Sequence, residues 1–212
     1  QQCGHRGRDD QGAFGREPIA FQYAVKPLGA PVEAGDRLEA RAKAQNDAEG
    51  EHHDLGANAH TGQHRVGDIA CDILLGDSSP LYQRLYEQGL INTSFGGSFE
   101  MMPGIAYLYA GGDSKDARAV TREIQKEAER LVREGIDEAF YQRIKKAAFG
   151  ANLRGLNSFE NIAVSLSEGY FHGYDPFVFP QVFDSIRKED ITAFLKENIL
   201  AERMVLSEIV PK

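Results

Sequence analysis

The uneven distribution of apolar residues is what most limits how this chain can fold. Val, Ile, Leu, Met, Phe and Tyr number ten in residues 1–68 and 52 in residues 69–212. Each such side chain contributes about 1.5–3 kcal/mol when fully buried, so a core has to be assembled from the second part. The first part holds five of the six histidines and ten of the 22 glycines. Runs such as residues 3–10 follow neither the two-residue period of a strand nor the helical period. Two pieces have some local character: residues 18–28 read as a strand, and residues 36–48 have helix-forming composition with only Leu38 to bury. Either would have to borrow a core from elsewhere. We therefore divide the chain into an atypical segment, residues 1–64, and a folded domain, residues 65–212. The abrupt change at His64-Arg65 raises the hypothesis that the preceding segment is translated out of frame.

Beyond residue 65 the punctuation becomes regular. Residues 66–75 read as a helix with Ile69, Ile73 and Leu74 on one face and Gly76 as its stop; Ser79-Pro80 opens a second helix that Gly89 ends. Residues 90–102 and 105–110 carry the pattern of antiparallel strands joined at Pro103-Gly104, and Gly96-Gly97 implies a bulge or a close approach. Ser114 is read as the N-cap of an amphipathic helix over 115–134, Asp137 as the cap of the next, and Ser158 as the start of a third reaching about residue 171. Residues 188–198 form a further amphipathic helix and 203–210 a closing strand. Strands grouped before helices, with one strand at the end, place the chain in the α+β class rather than among alternating β-α units.

Charge and composition narrow the functions. With 24 Lys+Arg against 32 Asp+Glu the net charge is -8, which leaves no basic field to neutralise phosphates, so no nucleic-acid partner is expected. No apolar run approaches the ~20 residues that cross a bilayer, and no signal-type apolar region opens the chain. We expect a cytoplasmic protein with no membrane partner. Two cysteines, Cys3 and Cys71, cannot build a disulfide framework, which fits a reducing compartment.

The most informative run is residues 74–99, LLGDSSPLYQRLYEQGLINTSFGGSF. With GGDSKD at 111–116, Gly135-Ile136-Asp137, Arg143-Ile144-Lys145-Lys146 and LRGLNS at 153–158, it resembles the pitrilysin/insulinase family of zinc metallopeptidases. The resemblance runs from Arg65 to Val210 and is to the C-terminal, non-catalytic domain of the bacterial members. It implies one twisted, mostly antiparallel sheet with helices packed on one face, forming half of a clam-shell that encloses a peptide or small protein substrate. It also implies a homologous catalytic domain or subunit as partner, with zinc held there by H-x-x-E-H on a helix, whose glutamate is the general base. The helix at 66–75 offers Asp68, Cys71 and Asp72 but no histidine at either ligand position. We therefore expect no catalytic residue, no metal ligand and no bound cofactor in this chain by itself, and a dimer is compatible with that reading. The alternative from another class is a stand-alone protein-interaction module of the same fold.

Particular side chains are weighed on the same terms. His60-Thr61-Gly62-Gln63-His64 has the i, i+4 histidine spacing, but Gln63 cannot act as a base and Gly56 and Gly62 oppose a helix, so we read it as a polar segment. Were it a zinc site, the chain would be an autonomous hydrolase. Glu51-His52-His53-Asp54 is read as a surface loop. Arg84 is the candidate substrate-binding residue, because the resemblance places it where family members direct an arginine at the substrate peptide, and a guanidinium pairs bidentately with a carboxylate. Seven residues later the family pattern has a tyrosine and this chain has Ile91. A surface pair with Glu87 or Asp77 is the other role open to Arg84. Tyr82, Tyr86, Phe95, Phe99, Tyr107 and Tyr109 are candidates for an aromatic wall, though strand alternation sends Tyr107 and Tyr109 to one face and Leu108 to the other. His172 is read as a structural or end-capping histidine.

Overall fold

Alternation along residues 105–110 sets the two faces of the sheet. Ala106, Leu108 and Ala110 are buried while Ile105 and Tyr109 are exposed, as the two-residue strand period requires. The computed structural model describes residues 18–25, 55–102, 105–172, 174–199 and 203–209. In chain order the elements are β1 (Pro18–Val25), α1 (Leu55–Leu75), α2 (Pro80–Glu87), β2 (Gly96–Met102), β3 (Ile105–Asp113), α3 (Ala117–Glu134), α4 (Glu138–Gly155) and α5 (Phe159–His172). A 3-10 turn (Pro176–Val178), α6 (Phe179–Ser185), α7 (Lys188–Asn198) and β4 (Met204–Glu208) follow.

The strands form one antiparallel sheet in the order β2-β3-β1-β4. β1, drawn from the apolar-poor segment, occupies an interior position, paired from Pro18↔Asp113 to Val25↔Ala106 on one side and with β4 on the other. Helices α1, α3 and α7 pack on the face that carries Leu108, while Tyr109 and Val205 stay exposed on the other. The fold is thus α+β, an antiparallel sheet with helices on one face, as the sequence leads one to expect.

α1 is the organising helix. It packs against β2 and β3 and against five other helices, α2, α3, α4, α6 and α7. Ile69, Ile73, Leu74 and Leu75 are fully buried. It starts at Leu55 rather than near Val66, so it runs through the composition change at 64–65 and contains both Gly56 and Gly62. Each glycine costs a helix about 1 kcal/mol, but burial of so many large side chains outweighs that. Gly67 is there because nothing larger fits: a methyl group would overlap the Phe99 ring of β2.

Several local readings hold and others shift. Asp137 caps α4 by accepting from Phe140 N at 2.8 Å, and the ladder through Gly97↔Ala110 is regular. Gly97 therefore serves close approach, since a methyl there would lie 2.7 Å from Leu75, whereas one at Gly96 would meet nothing within 4 Å. The N-cap of α3 is Asp116, which accepts from Ala119 N at 2.9 Å, rather than Ser114. Ser114 is buried and accepts from Asp116 N at 3.1 Å instead. α6 has no counterpart in the sequence reading; Pro180 lies in its first turn, a position that proline tolerates. Phe179 and Phe183 on α6 meet Phe149 of α4 with ring centroids 5.5 and 5.6 Å apart. The expectations for residues 36–48 and 51–54 and for Cys3 lie outside the described residues.

Candidate functional site

Arg84 is delivered by a short, well-capped helix. Ser79 accepts from Tyr82 N at 3.1 Å, Pro80 sits in the first turn, and Leu81 and Leu85 are buried. Arg84 Nη2 donates to Glu127 Oε2 of α3 at 2.7 Å, and Arg130 Nη2 donates to Glu127 Oε1 at 2.7 Å. The Glu127 side chain is only 3% exposed whereas that of Arg84 is 43% exposed. One edge of the guanidinium is therefore fixed from below while much of the group faces solvent. Burial acts to raise the Glu127 carboxyl, but the hydrogen bonds from Arg130 and Arg84 prevail and hold it below the usual carboxylate range.

The sequence leaves Glu87 or Asp77 open as a surface partner for Arg84; the structure corrects the partner to Glu127, 43 residues away. A signal for it exists in the sequence. Val120, Ile124 and Leu131 form the buried stripe of α3, and Glu127 occupies the same stripe. A carboxylate there has to be paired, because leaving it buried without a counter-ion is costly.

The six aromatic candidates do not form one wall, although Tyr82 and Phe95 meet with ring centroids 6.3 Å apart. Tyr82 and Tyr86 stack with centroids 6.3 Å apart and planes at 8°, on the side of α2 opposite Arg84 by helical geometry. Phe95 and Phe99 are core residues, with Phe99 edge-on to Phe194 at 5.5 Å. Tyr107 and Tyr109 lie on the face of the sheet opposite α1, α3 and α7. His172 is the last residue of α5, and its side chain lies outside the described residues.

α1 is the place to test for zinc. His60 and His64 do stand one turn apart on it, contrary to the expectation that the glycines would prevent a helix, with Gln63 between them. The His60 side chain lies outside the described residues. Asp68 Oδ2 is shared by His64 Nδ1 and Arg65 Nη1, each at 3.1 Å. Cys71 is buried, and burial first, then Asp72 and Asp68, push its thiol well above the ordinary range. Burial also raises Asp72, with Asp68 and Asp77 adding to the effect. Zinc takes deprotonated thiolate or free imidazole and carboxylate donors, and this set does not fit it. Among the described residues no group of three or more His, Cys, Asp and Glu side chains converges as a metal site.

Residues 55–148 match the family model of the peptidase M16 inactive domain. Over this stretch the chain is similar to the inactive domain of M16 peptidases. The chain is 29% identical over 147 residues to the uncharacterized zinc protease YmfH of Bacillus subtilis (strain 168), a match covering 68% of this chain and 34% of that protein. The chain thus spans about a third of the length of that relative. Among solved structures it is similar to an M16-like peptidase from Alicyclobacillus acidocaldarius, with TM-score 0.69 and 19% identity over 93% of this chain and 41% of the other. It is also similar to the inactive peptidase domain of a zinc protease from Bordetella parapertussis, with TM-score 0.62 and 18% identity over 94% and 95% of the two chains. These likenesses show the M16 fold. No helix among the described residues is long and apolar enough to cross a membrane.

Proposed function

We propose that this chain is the non-catalytic C-terminal half of a cytoplasmic zinc peptidase, one wall of a chamber that encloses a peptide or small protein. A homologous catalytic domain or subunit carries the zinc and the general base. The observation that carries this reading is the match to an inactive M16 domain in a chain that spans only 34% of a zinc protease relative. In this reading Arg84 is the substrate contact: Glu127 fixes one edge of the guanidinium, and the exposed part of the fork takes a peptide carbonyl or carboxylate. No bond-breaking step belongs to this chain.

The test is to mix the chain with the separately produced zinc-bearing half and follow chelator-sensitive cleavage of a quenched peptide library. Cleavage that depends on the mixture supports the proposal; none from two correctly folded halves overturns it. In the active mixture Arg84→Ala raises KM about tenfold with kcat nearly unchanged, as expected for a contact of equal strength in the ground and transition states. A second reading, a stand-alone interaction module, is favoured by the exposed aromatic side chains Phe159, Tyr170 and Phe171 of α5. It predicts partner binding with no cleavage in any mixture.

A further inference from the structure

α5 does not close down on the body of the domain. Between it and the first half of α1 lies an open cleft of about 760 Å³, reaching to β2 and the end of α4, within the ~300–1,000 Å³ span of ligand sites. Its apolar lining comes from Leu156, Ile162, Val164, Phe177 and Phe179. Val164 and Phe177 are about half exposed there, at 52% and 47%. Three carboxylates, Glu100, Glu160 and Glu168, stand around the same space. None of the three forms an ion pair with another described residue. On the opposite wall the Arg65 guanidinium is already engaged, since Arg65 Nη1 and His64 Nδ1 both meet Asp68 Oδ2 at 3.1 Å. Arg65 Nε is buried in that wall and donates to no described residue. Burial raises the hydroxyl of Tyr174, which also lines the cleft, and Glu168 adds to the effect against the opposing Arg65.

We propose that this cleft is a peptide-binding site for an extended segment carrying alternating basic and apolar side chains. The apolar residues seat on Leu156, Val164 and Phe177, and the basic ones pair with Glu160, Glu168 and Glu100. Charge selects the occupant: three carboxylates with no ion pair among the described residues repel an acidic peptide and attract a basic one, and the apolar lining excludes a purely polar cation. The inference deepens the peptide-binding reading above and rests on it. It uses none of the residues around Arg84, so the two are separable.

The experiment uses the 212-residue chain and two fluorescein-labelled hexapeptides, one alternating leucine with lysine and one alternating leucine with glutamate, read by fluorescence anisotropy. The lysine peptide binds at least about tenfold more tightly than the glutamate peptide at ~50 mM salt, and the gap narrows as salt rises. The double variant Glu160→Gln/Glu168→Gln removes most of that gap while circular dichroism is unchanged. In heteronuclear NMR the Asn161 side-chain amide, which lines the cleft, shifts on titration of the lysine peptide. Equal binding of the two peptides, binding of neither up to millimolar concentration, or an unaltered affinity in the double variant overturns the site. Arg84→Ala keeps the two readings apart. Binding lost in Arg84→Ala but kept in the double variant places the peptide at Arg84 and overturns the cleft. The reverse result supports the cleft and removes the support for Arg84.

Discussion

α1 and α5 are both helices with large apolar side chains, and they end in opposite surroundings. In α1, Ile69 and Leu74 are 0% exposed; in α5, Phe159, Tyr170 and Phe171 are 88, 84 and 79% exposed. α1 packs against strands and five other helices, whereas the main neighbour of α5 among the described elements is the 3-10 turn. Apolar content therefore marks a helix for contact without naming the partner. For α1 the partners lie within the domain. For α5 the same kind of side chain stands beside an open cleft and on an outer face, the arrangement found at interaction surfaces.

This contrast can be broken by measuring stability on both sides of it. The largest effect is expected at α1: Leu74→Ala leaves a cavity where no side chain can follow, costing about 2–5 kcal/mol. It is read as a lower urea midpoint at unchanged slope. A loss under ~1 kcal/mol would mean that α1 is not the centre of the core.

An intermediate effect is expected at Glu127, which is as buried as the α1 core but charged. Glu127→Gln keeps the shape and removes the charge that two guanidinium groups face, costing about 1–3 kcal/mol near neutral pH. The folded carboxyl sits below its ordinary value of 4.5. Its stabilisation is therefore fully present above that value and is lost as pH falls through the lower folded value. The urea midpoints of parent and variant should converge in acid, and a difference that persists to the lowest pH would remove the charge from the explanation.

The smallest effect is expected at α5. Phe159→Ser and Tyr170→Ser should each change stability by less than ~0.5 kcal/mol, because neither side chain leaves water on folding. A loss above ~2 kcal/mol for either would show that α5 is packed on the body and would end the contrast with α1.

Much of this fold is legible in the order of the residues alone. The boundaries of α7 coincide with the sequence reading, Asp137 caps α4 as its position ahead of an amphipathic run predicts, and Met102 pairs with Ile105 where the strands were expected to meet. These features depend on neighbours in sequence, where caps, turns and periodicity act. α6 is hidden by Pro180, which reads as a breaker unless its place in the first turn is known. The upstream extension of α1 is hidden by Gly56 and Gly62, whose unfavourable propensity only tertiary burial overrides. At the candidate site, Arg84 is visible and its anchor is not, because Glu127 lies on another helix and only their packing brings the two together.

The sequence by itself determined where most helices and strands would form, that the core would come from the second part of the chain, and that Gln63 would stand where a zinc helix carries its general base. Those properties follow from local conformational preference and from the chemistry of side chains at given spacings. Tertiary structure alone decided that β1 would sit inside the sheet, that Glu127 rather than Glu87 would hold Arg84, and that α5 would stand over a cleft ringed by Glu100, Glu160 and Glu168. Each depends on which distant surfaces meet, and burial and ion pairing act across those surfaces rather than along the chain.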